Sequence, residues 1–210
     1  MNAIAPISRQ PDLPAVTPVA ARAKRTPTDW ILAGFQALLA GGPDAIRVEA
    51  LARGLGATKG SFYWHFKDLR SLHAAMLEAF EHLASVGITA GLRRRGGSPR
   101  AQLTALVEAV SALPEGESGG AALEPAMRDW ARTDPLARAA LQRVDARRLA
   151  DLCAFLAQAG LEAPRAAEGA ARFYAALLGL ESLRITCGIE MRGPLMAVAE
   201  AILRPEGGPG

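Results

Sequence analysis

The sequence has few lysines, few aromatic residues and only two cysteines, and it has no long apolar run. Of its 210 residues, three are lysine, eleven are aromatic and two are cysteine. Cys153 and Cys187 are too few for a disulfide framework or a metal cluster, and both lie in apolar helical context. No stretch of 18 apolar residues occurs, so no membrane-spanning helix is predicted. We therefore expect a cytoplasmic protein without membrane, metal or cofactor.

Signals for β-strands are nearly absent too, whereas alanine and leucine recur at helical spacing along most of the chain. The sequence predicts an all-α protein with about nine helices, three short ones followed by six mostly longer ones. Residues 1–25 are predicted to be a disordered basic tail, and residues 205–210 a second disordered tail.

Capping residues predict where several helices begin. Thr26 is followed by Pro27 and by Asp29 three residues after the cap, which is the pattern of a helix start. The same logic predicts that later helices begin at Asp68, at Asp134-Pro135, at Pro164 and at Pro194.

Positive charge is concentrated near the start of the chain. Residues 1–75 hold nine Lys and Arg against five Asp and Glu, and the remainder holds fifteen against sixteen. All three lysines, Lys24, Lys59 and Lys67, fall in the first part. This asymmetry is a weak indication of a polyanionic partner. A general scarcity of lysine in an arginine-rich chain explains it equally.

Four of the eleven aromatic residues stand within five positions, namely Phe62, Tyr63, Trp64 and Phe66. They follow two short predicted helices, about 47–54 and 58–64, that are joined by a turn at Gly56-Ala57. Two short helices with a glycine in the turn are the arrangement of a helix-turn-helix. The second is too short to be stable alone, so Phe62 and Phe66, four residues apart, are predicted to anchor it inward.

The other side of this short helix is then predicted to face solvent. Lysine can pair with phosphate or reach guanine, serine can contact a base edge or a phosphate, and tyrosine offers a ring and a hydroxyl. A glycine lets the backbone come close to a partner. The outward residues by this argument are Thr58, Lys59, Gly60, Ser61, Tyr63 and His65. The alternative is that all four aromatic residues are core and that the lysines are merely solvated.

Residues 26–72, and most closely the run LARGLGATKGSFYWHFKDLRSL, resemble the DNA-binding domain of TetR-family transcriptional regulators. The resemblance implies a helix-turn-helix domain at 26–72 and a ligand-binding and dimerisation domain at 73–204. It also implies a homodimer that binds a palindromic operator on double-stranded DNA, acts as a repressor, and is released by a small-molecule effector of unknown identity.

Carried over to this sequence, the resemblance implies a set of DNA contacts around the short helix. Bases or nearby backbone are assigned to Lys59, Gly60, Ser61 and Tyr63, with Thr58 as the capping residue, and phosphates to Trp64, His65 and Lys67. Arg47 stands where the family usually has a capping threonine, and we predict that it regains a phosphate contact through its longer side chain. Leu69 stands where many members have a basic residue.

Effector and dimer residues are predicted from large or small apolar side chains in the later helices. Plain core is the favoured explanation for each effector candidate, and the alternative for the dimer face is that it covers the chain's own core. The effector candidates are Met76, Phe80, Met127, Trp130, Phe155, Phe173, Tyr174 and Leu177, with Arg128 and His82 as possible polar partners. The dimer candidates are Ala170, Ala171, Ala175 and Gly179, followed by Leu195, Val198, Ala199 and Ile202.

The sequence does not predict an enzyme. It contains no paired Glu-x-x-His set, nucleophile elbow, phosphate-binding loop or zinc-ligand spacing. The competing interpretation is a helical small-molecule-binding or protein-interaction protein without specific DNA binding.

Overall fold

The computed structural model describes residues 25–93, 97–112 and 122–204, and for residues 85–93 it describes the backbone alone. Within these ranges the chain forms nine α-helices and no strand, which confirms the predicted all-α fold. The helices are α1 (Pro27–Gly41), α2 (Val48–Gly54), α3 (Lys59–His65), α4 (Leu69–Arg93), α5 (Pro99–Ser111), α6 (Leu123–Thr133), α7 (Pro135–Gln158), α8 (Ala163–Cys187) and α9 (Arg192–Leu203). The predicted tails, Arg25 apart, and a predicted loop at 114–120 lie outside the described residues.

Three of the predicted helix starts, at Thr26, Asp68 and Asp134, have the capping bonds that the sequence indicates. At α1 the Thr26 hydroxyl accepts from the Asp29 amide at 3.3 Å, and the Asp29 carboxylate accepts from the Thr26 amide at 2.7 Å. At α4 the Asp68 carboxylate accepts from the Ser71 amide at 2.7 Å. At α7 the Asp134 carboxylate accepts from the amides of Leu136 and Ala137 at 2.8 and 2.9 Å. These bonds satisfy amides that have no partner inside their helix.

The start of α9 differs from the prediction. The helix begins at Arg192, two residues before Pro194. The Glu190 carboxylate accepts from the amides of Arg192 and Gly193 at 2.5 and 2.9 Å. A carboxylate just before the helix thus supplies the cap, and the proline lies inside the first turn, where its missing N–H costs nothing.

The buried apolar side chains form two clusters. The first joins α1, α2, α3, the first half of α4, α6 and the start of α7, and includes Trp30, Phe62, Leu72, Met127 and Trp130. The second joins α5, the end of α7, α8 and α9, and includes Leu106, Phe155, Phe173 and Leu195. The proposed domain boundary at 72/73 falls inside α4, and the first cluster continues across it.

Helices α1 and α4 approach each other closely at Gly34. A Cβ atom added at Gly34 would lie 2.5 Å from the Met76 sulfur, and the Met76 side chain is fully buried. A larger residue at Gly34 would require the buried Met76 side chain to shift, so the glycine permits the present close packing of the two helices.

Candidate functional site

Helices α2 and α3 are joined by a turn that depends on Gly56. The Gly56 φ angle is 59°, in the left-handed region that glycine adopts without strain. The Ala57 amide donates to the Ala52 carbonyl at 2.8 Å, and the Gly56 amide donates to the Arg53 carbonyl at 3.1 Å. This is a Schellman ending. One residue later the Thr58 hydroxyl accepts from the Ser61 amide at 3.2 Å and caps α3.

Helix α3 is held from behind by aromatic contacts. Phe62 is fully buried, and its ring meets that of Trp30 edge-on at 5.3 Å. Phe66 is buried as well, with its ring centroid 5.5 Å from that of Phe62. The predicted anchoring role of the two phenylalanines is therefore confirmed. The sequence argument missed Trp30, which lies 32 residues earlier in the chain.

The opposite side of α3 is a solvent-facing surface, which we call the α3 outer face and which comprises Lys59, Gly60, Tyr63 and Trp64. Tyr63 is 57% and Trp64 69% exposed, so these two aromatic residues are not core. A Cβ added at Gly60 would have Thr58 Oγ1 at 3.7 Å as its only neighbour within 4 Å, so packing within the chain does not require glycine there. Lys67, just after the helix, is exposed too.

His65 differs from the expectation that it faces solvent. It is half-buried, and its Nε2 atom lies 2.7 Å from the Arg25 carbonyl oxygen. Because a carbonyl oxygen accepts, Nε2 carries the proton. His65 thereby ties the end of α3 to the residues that precede α1. Ser61 is also half-buried and contributes its amide to the Thr58 cap.

Lys59 forms an ion pair with Glu49 of α2. The hydrogen bond and charge of Lys59 lower the pKa of Glu49, and those of Glu49 raise the pKa of Lys59. Both side chains are exposed, so the pair contributes little to stability. The ion pair does, however, fix the position of the Lys59 ammonium group at the junction of α2 and α3.

Arg47 precedes α2 without capping it. The helix start has no side-chain cap bond, as the replacement of the usual threonine predicts. The Arg47 side chain is exposed, and its Nε donates to the Asp44 carbonyl at 2.9 Å. It also lines a groove of about 410 Å³ between the segment that joins α1 to α2, the start of α4 and the end of α6, together with His73 and Trp130. Burial lowers the pKa of His73, whose ring meets Trp130 edge-on at 5.0 Å.

The eight predicted effector residues are all buried, but they are divided between the two apolar clusters. Four lie in the first cluster: Met76, Phe80, Met127 and Trp130. The other four lie in the second: Phe155, Phe173, Tyr174 and Leu177. Large apolar side chains fill the interior of a helical chain of this size whether or not a ligand binds.

A polar network of Glu124, Arg128, Asp145, Arg148 and Tyr174 links α6, α7 and α8. Arg128 donates to Glu124 at 2.7 Å, to Asp145 at 2.7 and 3.2 Å, and to the Tyr174 hydroxyl at 3.0 Å. Arg148 donates to Glu124 at 2.9 Å and to Tyr174 at 3.0 Å, and Tyr174 donates to Asp145 at 2.7 Å. Arg128 was predicted as a polar partner from the sequence, and the other possible partner, His82, is exposed.

A second groove, of about 400 Å³, lies between α6 and α8 beside this network. Its walls include Glu124, Pro125, Arg128, Leu178 and Glu181. Burial, and next the charge of Glu124, raise the pKa of Glu181 to about 7, against the opposing charges of three arginines. Sequence reasoning missed Glu181, because a glutamate inside an apolar helix carries no signal of what it faces.

The predicted dimer stripe divides into two faces. Ala171, Ala175 and Gly179 are exposed on α8, and Leu183 is 46% exposed on the same side. The prediction was wrong for the residues that turn inward into the second cluster, where they cover the chain's own core: Ala170, Leu195, Ala199 and Ile202. Val198 is half-buried.

Among the described residues, no helix is long and apolar enough to cross a membrane. In the same part of the chain, no three His, Cys, Asp or Glu side chains are grouped so that they could hold a metal ion.

Residues 31–76 match the sequence model of a family described as bacterial regulatory proteins, tetR family. The matched segment runs from α1 into α4 and contains the whole helix-turn-helix. A comparison with curated proteins found no match.

Solved structures share the fold over most of the chain. A transcriptional regulator from Rhodococcus sp. RHA1 is 22% identical, with 85% of this chain and 96% of that one covered and a TM-score of 0.72. Reduced NemR from E. coli is 20% identical, with 86% and 98% covered and a TM-score of 0.72. A transcriptional regulator from Saccharomonospora viridis in complex with choline is 16% identical, with 84% and 94% covered and a TM-score of 0.69. At these identities the likeness shows the fold alone.

Proposed function

We propose that the chain is a repressor that binds a palindromic operator as a homodimer and is released by a small molecule. The match of residues 31–76 to the tetR-family model and the likeness in fold to solved transcriptional regulators support this proposal. Its site of action is the cytoplasm. The domain division at 26–72 and 73–204 is part of the proposal.

The α3 outer face is the observation that carries this proposal. A helix of seven residues holds two large aromatic side chains in solvent, beside a lysine and a glycine that the fold does not require. Exposed aromatic rings are a feature of surfaces that bind a partner. Aromatic side chains, a lysine and a glycine that allows the backbone to come close are together suited to contacts in the major groove of DNA. The half-buried Ser61 and His65 belong to the proposed contact region, with His65 also positioning the chain before α1.

Footprinting of the full-length protein on the DNA upstream of its own gene tests the proposal. A palindromic protected site is expected, with affinity that falls steeply as salt rises and with preference over a shuffled duplex. Salt-sensitive binding that shows no preference between the two duplexes would contradict it.

Replacing Arg47 with alanine is expected to weaken operator binding and to reduce the slope of log K against log salt by about 0.9, the value for one phosphate contact. Arg47 is exposed, and within the described residues its side chain is bonded to the nearby Asp44 carbonyl alone, so its other donors are available to a phosphate. Fluorescence anisotropy over a salt series measures the slope. Arg100→Ala on α5, in the half of the chain built on the second cluster, is the control and should leave it unchanged.

The exposed face of α8 supports the homodimer. Ala171, Ala175 and Gly179 recur at helical spacing, and among the described residues no atom beyond the adjoining helix backbone lies within 4 Å of a Cβ added at Gly179. Small exposed residues with Leu183 beside them allow a helix of a second copy to approach closely.

Replacing Gly179 with arginine is expected to raise the dimer dissociation constant at least tenfold, about 1.4 kcal/mol, because the side chain would enter the interface. The folded monomer should not lose stability, since the site is open and arginine favours a helix over glycine by up to about 1 kcal/mol. Sedimentation measures the dimer. Ala150→Arg, at an exposed position of α7, is the control, and equal dimerisation of both variants would contradict the α8 interface.

The effector step requires a route from the second half of the chain to α4. The Trp130 ring of α6 contacts the His73 ring of α4 edge-on. A displacement of α6 would therefore displace α4, which follows α1–α3 in the chain. The effector must bind the DNA-free form more tightly, by about 1–3 kcal/mol in typical cases. One protein of similar fold binds choline, which supports the capacity of this fold for a small molecule.

A further inference from the structure

We propose that the groove between α6 and α8 is the effector site, and that it takes a small molecule bearing a protonated amine that pairs with the Glu181 carboxylate. This proposal names the effector class of the proposed function and rests on it. The groove has a volume of about 400 Å³, within the range of sites for small ligands.

Glu181 is the residue on which the assignment depends. It is 9% exposed, and within the described part of the chain its carboxylate accepts no hydrogen bond. Its oxygens are not among the fully covered polar atoms without partners, so the carboxylate opens into the groove that it lines. Nearly all buried carboxylates in proteins are bonded or paired, so one that is neither and that opens into a groove is suited to a hydrogen-bond donor from a ligand.

The neighbouring arginines do not serve as such a donor. Arg128 is bonded to Glu124 and Asp145, and Arg148 is bonded to Glu124 and Tyr174. Arg184 also acts on Glu181 through its charge, but within the described residues it donates no hydrogen bond to that carboxylate. Burial and the charge of Glu124 disfavour the ionised form of Glu181, and a cation placed against its carboxylate would favour that form.

The groove walls define the rest of the ligand. Pro125 and Leu178 provide apolar surface for a small ring or alkyl body, and Ser182 offers a hydroxyl at the rim. An ammonium group can donate to Glu181, whereas both oxygens of Glu124 already accept from arginines. Arg128 and Arg132 also line the groove, and Arg128 is bonded to Glu124 and Asp145. The ligand is therefore a small amphiphilic amine.

A bound molecule would act on α6, which forms one wall of the groove. Glu124 and Arg128 lie on that helix and belong to the polar network, and Trp130 on the same helix contacts His73 of α4. A ligand that separates α6 from α8 would therefore shift α4 through the contact between Trp130 and His73.

Calorimetry on the full-length protein without DNA tests the site, with benzylamine, benzyl alcohol and benzoate as probes of the same shape. Benzylamine is expected to bind with a Kd of about 1 mM or tighter, benzyl alcohol at least tenfold more weakly, and benzoate not at all. The Glu181→Gln substitution should lower the affinity for benzylamine at least tenfold and leave the affinity for benzyl alcohol unchanged. Glu168→Gln, at an exposed position of the same helix, is the matched control.

Proton release provides an independent readout. A Glu181 carboxyl with a pKa of about 7 is half-protonated at pH 7, so pairing with an amine should release about half a proton per site. Measurement in two buffers of different ionisation enthalpy detects this in the wild type and not in Glu181→Gln. Adventitious binding of the amine would instead give the same affinity and the same proton release in the wild type and in the Glu181→Gln variant.

The possible outcomes separate the two proposals. Equal affinity for amine and alcohol, absence of amine binding, or an unchanged Glu181→Gln would overturn the amine site even if operator DNA is bound and footprinted. Absence of sequence-specific DNA binding with intact, Glu181-dependent amine binding would overturn the repressor function and leave the amine site standing.

Discussion

Replacing Phe62 with alanine is expected to lower the free energy of unfolding by about 3–5 kcal/mol, the usual cost of removing a fully buried phenylalanine. The ring is fully buried between Trp30 and Phe66, and the resulting cavity cannot collapse without moving α1. The first cluster includes residues from α1 to α7, so removal of the Phe62 ring should weaken packing beyond α3 as well. Denaturant unfolding at a fixed protein concentration, followed by tryptophan fluorescence, measures the effect.

The adjacent residue gives the matched comparison. Tyr63 is 57% exposed, so Tyr63→Ala should change the unfolding free energy by less than about 1 kcal/mol. Both variants are expected to lose operator binding, Phe62→Ala because α3 is no longer held and Tyr63→Ala because the contact itself is gone. A stable Phe62→Ala, or a Tyr63→Ala that binds the operator as tightly as the wild type, would contradict this account of α3.

Replacing Arg128 with methionine is expected to lower the free energy of unfolding by about 2–4 kcal/mol, because it leaves Asp145 and one oxygen of Glu124 without a cation in a partly buried site. Burial lowers the pKa of Arg128, but its bonds to Asp145 and Glu124 outweigh burial and hold the pKa above its ordinary value. Methionine keeps most of the side-chain volume, so the change reports on the charge. Denaturant midpoints at a fixed protein concentration measure it.

An exposed arginine–carboxylate pair provides the control for that result. Arg100 pairs with Glu200 at 2.6 Å at the surface, and Arg100→Met should cost less than about 1 kcal/mol. Addition of Asp145→Asn to Arg128→Met should restore part of the lost stability, since the unpaired charge is removed. Equal losses for Arg128→Met and Arg100→Met would show that the network does not act as a unit.

The helix-turn-helix was predictable because its signals are local. A capping threonine, a turn glycine and two phenylalanines four residues apart each act within one or two turns of helix, and the structure places all of them as expected. The missing cap at Arg47 was visible for the same reason.

Contacts between helices were not predictable in this way. Lys59 and Glu49 lie on different helices, and the network around Arg128 draws on α6, α7 and α8. Periodicity found a stripe of small residues on α8, but it could not tell which of two neighbouring faces meets the rest of the chain, so Ala170 and Ala171 point to different surroundings. The start of α9 was misplaced because a carboxylate four residues before the proline caps it.

The contact of Gly34 with Met76 joins α1 to α4. Met76 is fully buried there, and α1–α3 share the first cluster with the first half of α4, so we expect these helices to move as one body. A tilt of α4 would then displace Tyr63, which lies farther from this contact, by a larger distance than the contact itself. A larger residue at Gly34 would require the Met76 side chain to shift or to be replaced by a shorter one.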